Sequence, residues 1–426
     1  MRTPIKSSAM LVFVSLLLFS CLRKGSDSET SVKRISNTIV LEWDEIAYEA
    51  FGGVTYQHSL MASRINAMTH LAIHDAINAI EPVYASYIFK GKDALADPIA
   101  AAASAAYTVL VNELPGKKGF LDSALQKSLL PITNSTARDK GIELGKQSGM
   151  TIVRARMNDG SAGDPFAPIS FSKVPGIYQA VPPFTIQFAP YWENVSLFGL
   201  QSKDQFRPAP HPALNTPGYT EAFDEVKSIG RINSTSRSAD QSSYAKFWYE
   251  FSEAGWNRIA RTVARNKNLS LVETARLFAL VDMALADAYI AGWDAKLFYN
   301  FWRPFTAIRN AANDGNEATI ADKTWEPSEP TPPIHDYPST HSALGNAAAT
   351  VLARLLGDNT SFTFNSPTAS PAGSSRSFTS FSEAADENAA SRVMAGIHFR
   401  FSCEAGQVLG NKIGDWLVSN KLKPLK

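Results

Sequence analysis

Three short segments of the 426-residue chain combine cations, imidazoles and hydroxyls at spacings that suit the binding of an oxyanion. In the first segment, Lys296 and Arg303 are seven residues apart, which is about two helical turns, so both side chains can project from one helix face. Two cations held side by side repel each other unless an anion lies between them. The alternative is that each cation pairs with a surface carboxylate, as charged side chains on helices usually do.

The second segment, Pro338 to His341, lies at the predicted start of a helix. A helix N-terminus presents free backbone N–H groups and the positive end of the helix dipole, so it favours an anion. Ser339 and the N–H of Thr340 can donate hydrogen bonds there, and His341 can exchange a proton with a bound ligand. The alternatives are that Ser339 only caps the helix and that His341 is a satisfied polar residue at the loop–helix junction.

The third segment runs from Ser391-Arg392 to His398. On one continuous helix six residues turn through about 600°, which would leave Arg392 and His398 on different faces. Gly396 can break the helix and allow both side chains to turn toward one point. The alternative is a capping serine, a surface arginine and a core histidine.

Taken together, the three segments resemble the signature of the vanadium haloperoxidase and type 2 phosphatidic acid phosphatase superfamily. That signature runs Lys-x6-Arg-Pro, then Pro-Ser-Gly-His, then Ser-Arg-x5-His, and it covers residues 296–398 here, inside a predicted core of 290–420. A softer likeness to the secreted bacterial haloperoxidase-like branch extends further along the chain. The shorter phrases that carry it are His74-Asp75-Ala76-Ile77-Asn78, Trp293-Asp294-Ala295-Lys296 and Phe301-Trp302-Arg303-Pro304.

The resemblance implies a vanadate or phosphate site in which two histidines have opposite places. His398 would be the apical partner, which binds vanadium directly in a haloperoxidase or attacks phosphorus in a phosphatase. His341 would be the proton-transfer group on the other side. The remaining oxyanion-binding residues implied by the family are Lys296, Arg303, Ser339, Thr340 and Arg392.

Two residues near the expected pocket mouth, Trp293 and His335, are candidates for selecting the halide or the substrate, although simple packing would also explain them. The sequence departs from the family at Thr340, where glycine is usual, and at Ser402, where many members have an aspartate that orients the apical histidine. If position 340 needs a positive φ, threonine would be strained there. Without the usual aspartate at position 402, His398 would need another acceptor, such as Glu404 or a backbone carbonyl.

These residues support three hypotheses of function. The first is a vanadate-dependent haloperoxidase that oxidises halide with hydrogen peroxide. The second is an acid-phosphatase-type phosphomonoesterase that works through a phosphohistidine, with phosphate in place of vanadate. The third is a non-catalytic, anion-binding surface lipoprotein.

The composition favours one large helical protein. The chain is 45% hydrophobic and 19% charged with a net charge of +1, so it is globular, and no basic stripe indicates nucleic-acid binding. Apolar residues recur at three- and four-residue steps through most of the chain, whereas strand-like alternation is scarce and no fixed-period repeat is evident. We therefore predict an all-α helical bundle with long Pro-rich loops at 160–220 and 311–338, and a short hairpin within 358–380.

The N-terminus has the pattern of an export signal. Two basic residues precede an apolar run from Ala9 to Phe19, and Ser20-Cys21 follows in a sequence that resembles a bacterial lipobox. We predict a signal peptide at 1–20, a lipid-anchored tether at 21–37 and a single domain at 38–426. An acylated Cys21 would hold an exported protein on a membrane surface, periplasmic or at the cell surface; an ordinary signal peptide is the alternative.

A second Ser-Arg-x5-His pattern begins at Ser63 and ends at His70. It lies on an unbroken amphipathic pattern with no Pro-Ser-x-His before it, so we interpret it as structural. His70 and His74 are spaced for two metal ligands on one helix face, but core packing is the preferred interpretation because no third ligand is near in sequence.

Overall fold

The computed structural model describes residues 1, 31–169 and 172–425. Helices dominate this part of the chain, as predicted, and four short 3₁₀ turns and two small hairpins accompany them. The helices are α1 (Thr38–Phe51), α2 (Ser59–Ile80), α3 (Pro98–Glu113), α4 (Lys118–Leu129), α5 (Ser135–Arg156), α6 (Pro217–Ile229), α7 (Ala239–Phe247), α8 (Ser252–Asn266), α9 (Leu271–Tyr299), α10 (Pro304–Asn310), α11 (Thr340–Leu356), α12 (Phe381–Met394) and α13 (Arg400–Asn420).

The strands form two antiparallel pairs. Strand β1 (Phe166–Pro168) pairs with β2 (Ile186–Phe188), and β3 (Phe362–Asn365) pairs with β4 (Ser375–Phe378). The second pair confirms the hairpin predicted within 358–380. The first pair lies inside the Pro-rich region 160–220 that the sequence indicated as an ordered loop.

The 29-residue helix α9 is the central element of the fold. A capping box starts it, because the Ser270 side chain accepts from the Glu273 N–H while the Glu273 carboxylate accepts from the Ser270 N–H. Nearly every residue from Leu271 to Lys296 is buried, so the helix is apolar all round and neighbours surround it. Asn300, in the left-handed conformation with φ 48°, ends the helix and turns the chain toward Arg303.

The structure contains an internal duplication that the sequence analysis did not find. Helices α2, α3 and α5 pack together in one half of the core, and α9, α11 and α13 pack in the same way in the other. In both halves a helix with glycines every fourth residue lies directly against an alanine-rich helix. A Cβ on Gly145 would lie 2.2 Å from the carbonyl oxygen of Ala101, and one on Gly410 would lie 2.2 Å from that of Ala343.

With this correspondence known, the repeat is visible in the residues. Segment 105–110 (AAYTVL) of α3 matches 347–352 (AAATVL) of α11, and the three glycines of α5 match three in α13 at the same spacing. Corresponding residues are 212 positions apart in α2 and α9, 242 in α3 and α11, and 265 in α5 and α13. The prediction that no fixed-period repeat exists therefore overlooked a duplication, because loop insertions of different length make its period uneven. The matched glycines are Gly141, Gly145 and Gly149, and Gly406, Gly410 and Gly414.

The chain just before α1 packs against the body of the protein. Val32 is fully buried, the Glu81 carboxylate accepts from the Ser31 hydroxyl and the Val32 N–H, and Ser36 pairs with Ser270. Residues 31–37 of the predicted tether therefore contact the body of the protein, and its residues 21–30 lie outside the described residues. The predicted signal peptide and Cys21 lie outside the described residues.

Among the helices of the described chain, none is both long enough and apolar enough to span a bilayer.

Candidate active site

The three sequence segments meet at the floor of a cavity of about 540 Å³. The first segment reaches it from the end of α9, the second from the start of α11, and the third from the junction of α12 and α13. The predicted residues in the cavity lining are Trp293, Arg303, Thr340, His341, Arg392 and His398.

Arg303 lies at the N-cap of α10, where Pro304 begins the helix. Its side chain is 1% exposed and is held on two sides: Nε donates to the carbonyl oxygen of Ile334 at 2.7 Å, and Nη1 donates to that of Ile397 at 2.7 Å. Nη1 also lies 2.9 Å from His398 Nε2. The backbone thus fixes the guanidinium beside the predicted apical histidine.

Gly396 brings Arg392 and His398 to the same cavity. Helix α12 ends at Met394, and Gly396 has φ 78°, a conformation that glycine adopts without strain. A Cβ at this position would lie 2.3 Å from the carbonyl oxygen of Gly230. The helix break that the sequence indicated is therefore present, and both conformation and close packing require glycine there.

Asp336 is a site residue that the sequence analysis missed. Its Oδ1 lies 2.8 Å from His398 Nδ1, and its side chain is fully buried. Ser402 does not replace the usual family aspartate directly, because its hydroxyl donates to the backbone carbonyl of Asp336 at 3.0 Å. The suggestion that Glu404 or a carbonyl orients His398 is therefore wrong. The only sequence signal was an aspartate three residues before Ser339, in a loop whose path could not be predicted.

The contact with Asp336 selects the tautomer of His398. A proton on Nδ1 would face the Asp336 carboxylate oxygen, whereas a lone pair there would face a second lone pair, so the proton is favoured on Nδ1. The lone pair of Nε2 then accepts from Arg303 Nη1 at 2.9 Å. Burial raises the pKa of Asp336 to about 7, and the charges of Arg303 and Lys296 oppose this rise. Burial lowers the pKa of His398 well below its ordinary value, and Arg303 adds to this effect, so the ring is neutral at neutral pH.

Arg392 presents unused donors to the cavity. Nη1 donates to the carbonyl oxygen of Trp248 at 3.0 Å, and the guanidinium lies 5.5 Å from the centre of the Tyr249 ring. Within the described chain, its buried Nε has no hydrogen-bond partner. Burial lowers its pKa to about 10, so the side chain is still charged at neutral pH.

The start of α11 supplies His341 and Thr340. His341 Nε2 donates to the carbonyl oxygen of Glu250 at 3.0 Å, so Nδ1 carries the lone pair. Burial, followed by the charge of Arg392, lowers the pKa of His341 well below its ordinary value. Thr340 is not among the described residues with positive φ, so the strain considered for it is absent and its side chain simply narrows the cavity.

Lys296 and Ser339 lie behind the cavity rather than in its lining. The Lys296 ammonium is fully buried and donates to the carbonyl oxygens of His335 at 2.6 Å and Asp336 at 3.0 Å. Ser339 caps α11, with its oxygen accepting from the Ser342 hydroxyl at 3.0 Å. Lys296 thus supports the loop that carries Asp336, and it retains one unassigned N–H.

His335 does not have the predicted place at the pocket mouth. It is 4% exposed, its ring packs 4.5 Å from that of Tyr178, and it is absent from the cavity lining. Burial lowers its pKa to about 3, and Lys296 contributes to this. Trp293 does line the cavity.

The electrostatics of the cavity favour an anion. No aspartate or glutamate is present in the lining that the structure describes, whereas Arg303 and Arg392 both are. Burial and the charge of Arg303 also lower the pKa of Lys296 well below its ordinary value. The lowered pKa reflects repulsion between neighbouring positive charges, and a negative ligand bound among these charges would offset that repulsion.

The second Ser-Arg-x5-His pattern lies elsewhere and is structural. Arg64 pairs with Glu113 at 2.6 Å and with Asp159 at 2.8 Å, both remote from the cavity. His74 donates to the carbonyl oxygen of Ala85 at 3.1 Å, so it does not share a ligand with His70.

His70 has carboxylate neighbours that the sequence did not reveal. Its Nε2 lies 3.3 Å from Asp44 and 3.7 Å from Asp282, in a fully buried cluster whose ligand atoms are all within 4.8 Å of one another. Arg261 pairs with Asp44, and Asn257 donates to Asp282 at 2.8 Å. His70 Nδ1 has no partner in the described chain, whereas a metal-bound histidine normally donates this proton, so packing remains the preferred interpretation.

Comparison with known proteins agrees with this geometry. The family model for the VCPO second helical-bundle domain matches residues 276–425. The vanadium chloroperoxidase of Curvularia inaequalis is 25% identical over 402 residues, which are 75% of this chain and 64% of that protein. The chain therefore spans less than two thirds of the length of that relative.

A solved bacterial vanadium-dependent iodoperoxidase is 27% identical and superimposes with a TM-score of 0.79, over 92% of this chain and 98% of the other. Residues 276–425 therefore belong to the family of this helical-bundle domain, and the chain as a whole is similar to vanadium haloperoxidases in sequence and fold. A bacterial vanadium-dependent chloroperoxidase in its holo form, 16% identical with a TM-score of 0.69 over 86% of this chain and 93% of the other, shows that the superfamily fold is retained at low identity. The known members that this chain resembles are vanadium-dependent haloperoxidases, which are enzymes.

Proposed function

We propose that this protein is a vanadate-dependent haloperoxidase that oxidises halide with hydrogen peroxide. The observation that carries the proposal is the position of His398, whose Nδ1 lies 2.8 Å from Asp336 and whose Nε2 lies 2.9 Å from the buried Arg303, in a cavity that Arg392 also lines. The vanadium dependence of its relatives supports the choice of vanadate as the anion.

The residues present fit a vanadate group. Arg303 and Arg392 would bind its oxygens, since guanidinium groups present several N–H donors in one plane. The N–H of Thr340 would donate to it at the start of α11, and Lys296 and Ser339 would support this site from behind the cavity. His398 would bind vanadium through Nε2. Vanadate, when bound, supplies Lewis-acid activation of peroxide toward halide.

The overall reaction consumes one proton: halide, hydrogen peroxide and a proton give hypohalous acid and water. His341 is placed to exchange that proton, because Glu250 fixes its Nε2 and its Nδ1 carries a lone pair. Its lowered pKa keeps the ring neutral, so it can accept a proton from peroxide. The ring then returns this proton to the oxygen that leaves as water, and solvent supplies the one proton that the overall reaction consumes.

The decisive experiment is an assay of the protein purified from residue 22 onward, with and without orthovanadate. We expect halide-dependent consumption of peroxide that requires vanadate and that His398→Ala abolishes. Hydrolysis of a phosphate ester is measured beside it with the same preparations. Peroxidation in the absence of vanadate would contradict the proposed mechanism.

The same assay separates the two alternatives. Phosphate-ester hydrolysis without halide oxidation would favour the phosphohistidine hypothesis, because phosphate and vanadate share a tetrahedral charge pattern. Inactivity in both assays, together with a rise in melting temperature on adding orthovanadate, would favour a non-catalytic anion-binding protein.

We also propose that the protein is exported and anchored to a membrane through a lipidated Cys21. The basis is the lipobox-like sequence alone. In cells that express the full chain, the protein should partition with membranes and incorporate an alkyne-labelled fatty acid. Cys21→Ser should remove the label and release the protein to the soluble fraction, whereas retention of the label in that variant would disprove the anchor.

A further inference from the structure

Beside the residues of the oxyanion floor, the cavity is lined by apolar and aromatic side chains. We call this part the apolar funnel, and its principal residues are Phe166, Phe184, Ile186, Phe188, Phe251 and Trp293. The prolines of segment 330–333 form another wall. The volume of about 540 Å³ lies within the range of small-molecule sites, which are typically about 300–1,000 Å³.

The rim of the apolar funnel exposes aromatic surface to solvent. Phe166 is 63% exposed and Phe184 is 37% exposed, although both rings line the same opening. Apolar surface gathered around an opening is unfavourable in water unless a ligand covers it, so such a patch marks a binding site.

The funnel is also preorganised. Phe166 and Phe188 are paired across strands β1 and β2, with ring centres 6.4 Å apart. The Phe188 N–H donates to the carbonyl oxygen of Pro333 at 2.8 Å, and the Trp293 indole donates to that of Phe188 at 3.3 Å. These bonds tie the hairpin to the proline wall and to α9, so a ligand does not have to order the walls when it binds.

Halide and hydrogen peroxide do not account for such a funnel. Both are small and strongly hydrated, and neither gains from contact with four phenylalanine rings. The occupant must therefore be an organic molecule whose apolar surface is large enough to cover the walls.

One polar group in the wall indicates what kind of molecule this is. Thr331 is 3% exposed and lines the funnel, yet its hydroxyl has no hydrogen-bond partner in the part of the chain that the structure describes. A buried hydroxyl without a partner is unfavourable, and a ligand hydroxyl or carbonyl would satisfy it. An aromatic ring with one hydroxyl group matches both the apolar walls and this unpartnered hydroxyl.

We infer that the apolar funnel binds a hydroxyaromatic compound, such as a phenol or naphthol, and holds it above the oxyanion site as the acceptor of the oxidised halogen. This inference rests on the proposed haloperoxidase function. In the step that it adds, hypohalous acid and the aromatic C–H give an aromatic C–halogen bond and water. The O–halogen and C–H bonds break, carbon is oxidised by two electrons, the halogen is reduced, and the ring proton leaves as part of the water.

The first test is direct binding, which does not depend on turnover. Calorimetric titration with 2-naphthol of the protein in saturating orthovanadate, without peroxide or halide, should show saturable binding at one site. The bound anion keeps a sulfonate group from occupying Arg303 and Arg392. 6-Hydroxynaphthalene-2-sulfonate, which has the same rings with a charge added, should bind at least about tenfold more weakly, because the apolar walls cannot solvate the sulfonate.

The second test is competition between these two naphthols during turnover with bromide, peroxide and vanadate. We expect the ratio of brominated 2-naphthol to brominated sulfonate to exceed, by about fivefold or more, the ratio that added hypobromous acid produces. This ratio does not depend on the amount of active enzyme, so partial misfolding of a variant cannot imitate the effect.

Two funnel variants and one control complete the design. Phe166→Ser and Thr331→Val should each lower the affinity for 2-naphthol by about three- to tenfold and move the product ratio toward that of the free reagent. Ile232→Ser is the matched control, since Ile232 is equally exposed at 61% but lies outside the funnel. It should change neither quantity.

The outcomes separate this inference from the function on which it rests. Vanadate-dependent bromide oxidation with no 2-naphthol binding, and with the product ratio of free hypobromous acid, would overturn the funnel inference alone. Saturable binding without any halide oxidation would overturn the acceptor role together with the proposed function.

Discussion

A histidine binds the central atom of an oxyanion only through a nitrogen lone pair, and Asp336 decides which nitrogen of His398 has one. The carboxyl group lies 2.8 Å from Nδ1 and favours a proton on that nitrogen, and the Lys296 ammonium donates to the backbone carbonyl of the same aspartate at 3.0 Å. A lysine that the family signature assigns to the anion thus also positions the residue that orients the apical ligand.

Asp336→Asn should weaken orthovanadate binding by about 10- to 100-fold. Groups that orient a metal-binding histidine usually contribute that much to metal affinity. The affinity is measured by equilibrium dialysis, and circular dichroism checks that the fold is retained. Ser402→Ala removes only a hydrogen bond to the Asp336 carbonyl and should have a smaller effect. Unchanged affinity in Asp336→Asn would show that another group orients His398.

His341→Ala tests the division of labour between the two histidines. Loss of a positioned proton-transfer group typically lowers the rate by about 10²- to 10⁴-fold. Orthovanadate affinity should fall far less, since the arginines and His398 remain. Steady-state kinetics and equilibrium dialysis on the same preparation give both quantities, and complete loss of anion binding would disprove the assigned role.

At the scale of elements, the site depends on two helices that approach each other unusually closely. A Cβ on Gly406 would lie only 2.4 Å from the carbonyl oxygen of Ser339. The Ser339 N–H donates to the carbonyl oxygen of Ser402 at 2.9 Å. Helix α13 begins two residues after His398, and it fixes the start of α11 near this same end. The glycine series of α13 is thus part of what keeps the two catalytic segments together.

Gly410→Ala should destabilise the protein by about 1–3 kcal/mol, the usual cost of an extra methyl group in a tightly packed core. The new Cβ would meet the carbonyl oxygen of Ala343 at 2.2 Å, and backbone cannot move aside easily. Urea unfolding followed by circular dichroism measures the free energy of unfolding. Gly119→Ala is the control, because a Cβ at this helical glycine meets nothing within 4 Å and should be neutral or slightly stabilising.

At the scale of the whole molecule, only one of the two duplicated halves carries the site. The position in α3 that corresponds to Ser339 is Asp97, which caps its helix, and the position that corresponds to His341 is Ile99. A carboxylate at the N-terminus of α3 occupies the place that an oxyanion would need. The first half instead packs against α9, through α2, and supports the central helix.

The pH dependence of folding reports on a residue of this first half. Burial lowers the pKa of His74 to about 4, so the unfolded chain takes up a proton between about pH 6.5 and 4 that the folded protein excludes. This contribution to stability is complete above about pH 6.5 and is lost as the pH falls, at a rate of up to about 1.4 kcal/mol per pH unit. Urea unfolding at pH 7, 6 and 5 measures it.

His74→Gln isolates this effect from other buried groups that titrate in the same range. Glutamine can still donate to the Ala85 carbonyl but does not titrate, so the variant should lose less stability than the original protein between pH 7 and pH 5. If the free energy of unfolding fell equally with pH in both proteins, folding would not prevent the protonation of His74.

The sequence by itself determined the helical class, the elements around the signature and the residue types of the site, because these follow from local periodicity, helix breaks and short fixed spacings. Lys296, Arg303, Arg392 and His398 could all be named before their positions were known. Asp336 could not be, since its role depends on the path of a proline-rich loop that has no periodicity.

Only the tertiary structure decided which of the named residues reach the cavity, and that Lys296, Ser339 and His335 do not line it. It also revealed the duplication and the apolar funnel, whose walls come from segments more than a hundred residues apart. Such contacts arise from the packing of whole elements against each other, and a linear pattern does not contain the distances that this packing sets.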